Sequence, residues 1–337
     1  MATPETMRAM VLRGGDPTLH LEQVAVPKPG DREVLLRVLA CGVCRTDLHI
    51  VDGELPETAR PLVPGHEIVG RIVARGANAT MLEIGARVGE PWLGGADGTC
   101  AYCRSGRENL CDHPRFTGYT VNGGYAEYVT ADERFCLRLP EIYPDASAAP
   151  LLCAGLIGHR AYRLAGENLK HVGLYGFGAS ADILAQILVA QGVKVYAFTR
   201  EGDADGQAFA CRLGALWAGP STARPPVRLD AALLFAPVGP LVVEALQSVR
   251  KGGTVVCAGI HMSDIPSFPY RLLWEERAVR SVANLTRQDG RDFMRLAART
   301  RIKTYVAPFE LGEANAALAA LREGRIEGAA VLIPGGT

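Results

Sequence analysis

The feature that most limits how this 337-residue chain can fold is a glycine turn held between two short apolar segments. Val172-Gly173-Leu174-Tyr175 reads as a strand, Gly176-Phe177-Gly178-Ala179-Ser180-Ala181 comes directly after it, and Asp182 to Gln191 carries apolar residues at 183, 184, 187 and 188, a helical spacing. Gly192 ends that helix, and Val193 to Phe198 reads as a second strand. In this GxGxxA pattern the first glycine makes the turn and the second lets backbone approach a pyrophosphate. The small third residue lets the helix close on the strand, and the phosphate sits at the helix N-terminus. A tight turn without a ligand uses the same residues. The strand before it, the helix after it and the next strand 20-odd residues on favour dinucleotide binding. Downstream, a helix over 207–213, strands at 231–235 and 254–258 and a helix over 241–250 between them continue the alternation, which implies a parallel, doubly wound sheet.

The N-terminal part has a different texture. Glu33 to Leu39 is a β-branched and apolar run after Pro29-Gly30-Asp31, and Gly and Pro punctuate the residues beyond it, so a β-rich unit is expected through about residue 150. Beyond about residue 288 come two helices, near Phe293 and Ala314, and a last strand at 330–333. The length itself suits two domains. Lys plus Arg and Asp plus Glu both number 36, so nothing draws a polyanion wholesale, which argues against a nucleic-acid partner. No apolar stretch reaches the roughly 18 residues needed to span a bilayer. Met1-Ala2-Thr3-Pro4-Glu5 does not open a signal peptide, so the expected location is the cytoplasm.

In such a compartment nine cysteines point to metal or catalysis before disulfides. Cys44, in Cys41-Gly42-Val43-Cys44-Arg45-Thr46-Asp47-Leu48-His49, His66, in Gly65-His66-Glu67, and Cys153, in Leu151-Leu152-Cys153-Ala154-Gly155, could ligate one zinc with the fourth position open, as catalytic sites do. Cys153 lies where the β-rich part meets the α/β part, which would put the metal at a domain boundary, where ligand sites often occur. A buried histidine with two apolar-packed cysteines fits the spacing equally well. The second group, Cys100, Cys103 and Cys111, is one thiol short of a closed tetrahedral site; Asp97 supplies an oxygen that zinc accepts, and a CxxC without metal is the alternative. Cys136, Cys153, Cys211 and Cys257 are otherwise scattered along the chain.

Taken together, these segments, with Trp92 ahead of the cysteine loop and Gly123-Gly124-Tyr125-Ala126-Glu127-Tyr128, resemble the zinc-dependent medium-chain alcohol dehydrogenases over essentially the whole chain. The resemblance implies an α/β protein: a GroES-like catalytic domain from 1–150 plus 288–337, with an inserted Rossmann domain over 151–287. It also implies a homodimer or homotetramer. By the same resemblance Cys44, His66 and Cys153 are the catalytic zinc ligands, Glu67 and Asp47 orient them, Thr46 and His49 form a proton relay, and Arg45 meets the cofactor pyrophosphate. Trp92 walls the substrate pocket, and Cys100, Cys103 and Cys111 are three of four structural zinc ligands. Two positions depart: Asp97 stands where the family has its fourth cysteine, and Gly328-Ala329 stands where many members carry a Gly-Arg pair that touches the cofactor.

The activity so implied is hydride transfer between a small primary or secondary alcohol, or the matching aldehyde or ketone, and NAD(P). The cofactor is bound by Gly176, Phe177, Gly178, Ala179 and Ser180 and chosen at Thr199 and Arg200. No carboxylate stands directly after the second strand, Thr199 can donate to a 2′-phosphate and Arg200 can pair with it, so NADP is favoured over NAD. Glu201 and Asp203 lie close by and could hold ribose hydroxyls instead. Two rivals remain: a zinc-free quinone or enone reductase of the same superfamily, which has no use for the 44, 66 and 153 set, and a non-catalytic zinc-stabilised dinucleotide-binding protein, which needs no relay.

Overall fold

The computed structural model describes residues 3–14, 16–56, 60–326 and 328–335. Contacts divide the chain into two compact units. The first runs through Cys153 and takes up the chain again at Thr286–Ala298 and from Lys303 onward; the second is Ala154–Leu285 with Arg299–Ile302.

The second unit is built on a six-stranded sheet in the order Trp217–Pro220, Lys194–Thr199, His171–Tyr175, Leu229–Leu234, Val249–Cys257, Ala278–Ser281. Every neighbouring pair is parallel. Parallel strands need helical crossovers that cover both faces. Accordingly, the inward residues separate into two buried clusters. One holds Leu174, Leu184, Leu188, Val195, Leu233 and Val256; the other holds Tyr175, Phe198, Leu234, Leu246 and Val255, with the Tyr175 and Phe198 rings stacked at 3.9 Å. The chain enters at the central strand His171–Tyr175, fills one side and then returns to fill the other, so strand order reverses beside the first strand, the position where such sheets bind ligands. The helix after the glycine turn spans Ala179–Ala190, three residues longer at its start than the apolar period indicates, because Gly178 is the N-cap. Both edge strands, Trp217–Pro220 and Ala278–Ser281, escape the sequence reading: each is four residues long, one ends in Gly-Pro and the other is largely exposed.

The first unit centres on the long strand Glu33–Val43. A seven-stranded sheet runs Val306–Glu310, Ala329–Ile333, Glu33–Val43, Glu67–Arg75, Arg87–Glu90, Leu137–Arg138, and Tyr128–Asp132 also pairs with Glu33–Val43. An antiparallel hairpin, Thr6–Leu12 with Leu19–Ala25, packs with it into one core that includes Met10, Leu36, Ile68, Ile72, Val88, Val129 and Leu332. Glu33–Val43 runs four residues past the apolar run read from the sequence because its last residues are paired on both sides. Cys41 and Gly42 face Ile68 and Glu67 on one edge, and Val331 and Leu332 on the other. That double pairing fixes where the strand stops, and the next residue is Cys44. No helix among the described residues is long and apolar enough to cross a membrane.

Candidate metal centre and dinucleotide turn

Cys44 leaves the strand in an extended conformation and caps the short helix Arg45–Val51. Asp47, fully buried in the first turn of that helix, organises the surroundings. Its Oδ2 accepts the Cys44 backbone N–H at 2.8 Å and the Tyr125 hydroxyl at 3.1 Å, and its Oδ1 lies 3.1 Å from His66 Nδ1. An ionised carboxylate only accepts, so His66 Nδ1 carries the hydrogen and Nε2 presents its lone pair. That Nε2 is buried and has no hydrogen-bond partner among the described residues. An unpaired buried nitrogen costs about 1–3 kcal/mol unless something satisfies it. Gly65, directly before His66, is required by its neighbours: its φ is +97°, and a Cβ there would lie 2.3 Å from the Tyr125 ring.

Donor atoms of Cys44, His66, Glu67 and Cys153 all lie within 4.8 Å of one another. The Cys44 and Cys153 sulfurs are 3.7 Å apart, far beyond the roughly 2.05 Å of a disulfide. The Cys153 thiol beside the Cys44 sulfur holds Cys44 well below the ordinary thiol range, so the pair presents a thiolate. Burial pushes the Glu67 carboxyl well up, and the charge on Cys44 adds to this. Two sulfurs and one bare imidazole nitrogen are the donor set zinc takes. The sequence reading gave Glu67 an orienting role; the structure places its carboxylate among the donors themselves.

Thr46 and His49 stand three residues apart on the helix Arg45–Val51, a spacing that puts them on neighbouring positions of one face. The Thr46 hydroxyl is 3.8 Å from the Cys44 sulfur. Arg45, at the start of the helix, is exposed. Trp92 meets His66 edge-on at 5.0 Å and stacks on Phe116 at 5.2 Å and Tyr119 at 5.5 Å. Phe116, Tyr119 and Tyr125 are absent from the sequence-derived site. All three lie within ten residues of the Gly123-Gly124 pair, so aromatic density there was the signal available.

The second cluster gathers Asp97, Cys100, Cys103 and Cys111, again with donor atoms within 4.8 Å. Backbone N–H groups of Asp97 and His113 point at the Cys111 sulfur, both at 3.3 Å, and that of Cys103 at the Cys100 sulfur at 3.4 Å. The backbone N–H groups of Asp112 and Cys103 hold the Cys100 thiol below its ordinary range. Asp97 Oδ1 accepts the N–H groups of Cys100 and Thr99 at 2.9 and 2.7 Å, which hold its carboxyl well below the usual range.

In the second unit Gly176 has φ +84°, and a Cβ there would lie 2.7 Å from Ala236. Phe177 packs edge-on against Phe209, and Ala179 and Ser180 open the helix. Gly178 is exposed, with nothing within 4 Å of where a side chain would begin. Its bareness is therefore not demanded by protein packing; it leaves backbone open to an incoming group. At the end of the next strand Thr199 is only 3 % exposed. Its hydroxyl donates to the Arg200 carbonyl at 3.1 Å and accepts from Gln207 Nε2 at 3.1 Å. Arg200 and Glu201 are exposed, whereas the Asp203 carboxylate is engaged as an N-cap, accepting the Gly206 N–H at 3.0 Å. At the far end of the chain Ala329 opens the strand Ala329–Ile333, its N–H donating to the Tyr305 carbonyl at 2.8 Å.

A β unit bearing a Cys/His/Cys cluster, in one chain with a parallel sheet bearing a glycine turn, defines the architecture of a medium-chain dehydrogenase. The comparisons agree. Residues 30–141 match the alcohol dehydrogenase GroES-like domain. A Mycobacterium tuberculosis protein described as "Probable alcohol dehydrogenase AdhA" is 46% identical over 343 residues, 98% of this chain and 99% of its own. Acetophenone reductase from Geotrichum candidum, solved in complex with NAD, is 28% identical and superposes with a TM-score of 0.88 over 99% of both chains. A cobalt- and zinc-bound thermostable alcohol dehydrogenase from Pyrobaculum aerophilum is 25% identical, with a TM-score of 0.87 over 98% of this chain and 100% of that one. The chain belongs to the medium-chain alcohol dehydrogenase family, with its GroES-like domain and Rossmann-type parallel sheet.

Proposed function

We propose that the chain is a zinc-dependent alcohol dehydrogenase that moves a hydride between a small primary or secondary alcohol, or the matching aldehyde or ketone, and NAD(P). The observation that carries this is the buried, unpartnered His66 Nε2 set among the Cys44 and Cys153 sulfurs. A rival without metal, such as a quinone or enone reductase, has no use for that arrangement. The relatives named above, alcohol dehydrogenases and a ketone reductase, support the same reading.

Cys44, His66 and Cys153 would hold the ion, with Glu67 close enough to exchange with an open position. Zinc supplies Lewis acidity that lowers the pKa of an alcohol oxygen, and the nicotinamide supplies the hydride acceptor. The chain does the rest. Asp47 fixes the His66 ring through Nδ1, which aims Nε2 and raises its basicity. Trp92, with Phe116 and Tyr119 behind it, gives substrate a flat apolar wall and excludes water. Thr46 takes the hydroxyl proton and His49 releases it to solvent. Gly176 to Ser180 offers N–H groups and the positive end of a helix to the pyrophosphate. Asp97, Cys100, Cys103 and Cys111 would hold a second, structural zinc. The protein works as a homodimer or homotetramer.

The test is substitution. Cys44→Ala or His66→Ala abolishes turnover of primary alcohols while dinucleotide binding persists. Near-normal activity of either variant at low free zinc removes the metal from the mechanism.

A further inference from the structure

One segment braces His66 from two sides. The N–H groups of Gly123, Gly124 and Tyr125 donate to the carbonyls of Val63, Gly65 and Pro64 at 2.7, 2.9 and 3.0 Å, which zips this stretch to the residues directly before His66. The approach is close: a Cβ at Gly123 would lie 2.0 Å from the Gly65 carbonyl oxygen. From the same segment the Tyr125 ring lies against Gly65, and its hydroxyl donates to Asp47 Oδ2 at 3.1 Å. Asp47 Oδ1 in turn meets His66 Nδ1 at 3.1 Å. Contacts therefore run in a closed loop, from the backbone before His66 to Tyr125, from there to Asp47, and back to the His66 ring. Tyr125 and Asp47 are both fully buried.

The covalent geometry of an aspartate does not fix how its carboxylate is turned, because the last side-chain torsion has a broad minimum. Two donors on Oδ2 fix it here. One, the Cys44 N–H at 2.8 Å, belongs to the capping turn of Asp47's own helix. The other, the Tyr125 hydroxyl, ties the carboxylate to the segment zipped against the approach to His66. We propose that Tyr125 is a positioning residue for the metal: through Asp47 its hydroxyl holds His66 Nε2 in place among the Cys44 and Cys153 sulfurs before an ion arrives, and so tightens zinc binding. This rests on the reading of Cys44, His66 and Cys153 as zinc ligands given above. A site set in advance loses less freedom on binding. Groups one step behind the ligands contribute about ten- to a hundredfold to metal affinity. Without the hydroxyl, Oδ2 keeps one donor, the carboxylate can turn, and the His66 ring loses its fixed aim.

Zinc competition against a chromogenic chelator tests this on the whole chain, the site being read as the zinc that Cys44→Ala fails to hold. Tyr125→Phe removes the hydroxyl and keeps the ring. It should raise the zinc dissociation constant about tenfold and leave dinucleotide binding within about twofold. In an Asp47→Ala background, where no carboxylate remains to receive the hydroxyl, the same change should cost less than about twofold. Unchanged zinc affinity in Tyr125→Phe overturns the proposal. So does a tenfold loss that persists in the Asp47→Ala background, since Tyr125 would then act other than through Asp47. Zinc held by Cys44→Ala as tightly as by the parent is a different failure: it overturns the reading of the ligands, and the proposal with it.

Discussion

Glu90 shows how a single residue can stand against its surroundings. It ends the strand Arg87–Glu90 with only 2 % of its surface exposed; Oε1 accepts the Thr117 hydroxyl at 3.1 Å and Oε2 has no hydrogen-bond partner among the described residues. Burial pushes its pKa to about 8. In the unfolded chain the group titrates near 4.3. Between those values the folded state keeps a proton that the unfolded state has released, so this residue makes stability fall as pH rises through that window, with the full loss present above it. Glu90→Gln should remove the slope. Urea or thermal unfolding should find the variant close to the parent near pH 4.5 and more stable by several degrees at pH 9. A difference that does not change with pH contradicts the assignment. Such a site is invisible in sequence, where Gly89-Glu90-Pro91 reads as an ordinary strand end. The ligand candidates were legible because thiol and imidazole chemistry is rare enough to stand out. Asp47's triple duty was not: one of its partners, Tyr125, is 78 residues away, and only the fold brings them together.

At the scale of elements, what could be read depends on how strongly each segment announces itself. The glycine turn and the helix after it carry two periodicities in sequence, and the structure places them as read, with the helix start moved to Ala179 by its cap. The short edge strands carried no period to find. The cysteine loop sits between these cases, since its four candidates are close in sequence, yet whether an aspartate completes a metal site depends on geometry. Asp97 is preset by two backbone N–H groups, and the sulfurs of Cys100 and Cys111 each accept one or more. A loop so arranged should hold zinc with one oxygen ligand. Metal analysis should give about two zinc ions per chain, the number of clusters available. One ion per chain, with the thiols of the 100–111 loop open to alkylation, refutes it.

At the scale of the whole molecule, the combination of a GroES-like fold with a parallel Rossmann-type sheet was legible from the change in texture along the chain and from the family resemblance. Cofactor choice was not legible to the same depth. The strand-end reading let the Thr199 hydroxyl donate to a 2′-phosphate and put the preference on Arg200; in the structure the Thr199 hydroxyl is already engaged on both sides within the protein. Arg200 is left exposed, and the Asp203 carboxylate that could have favoured ribose hydroxyls is occupied as a cap. The preference for NADP(H) should therefore reside in Arg200. Arg200→Ala should raise KM for NADP(H) much more than for NAD(H), and a clear NAD(H) preference of the parent in kcat/KM contradicts the reading.

The central proposal is that an alcohol gives the hydride on its carbinol carbon to a dinucleotide at a site where Cys44, His66 and Cys153 would hold zinc. The direct measurement is to strip the metal from the intact protein with a chelator, assay a panel of primary and secondary alcohols with NADP and NAD, and then add zinc back. The account predicts that alcohol turnover vanishes, that dinucleotide binding survives, and that stoichiometric zinc restores the activity. Full alcohol turnover by the metal-free protein, or activity confined to quinones and enones whether or not zinc is present, would contradict it.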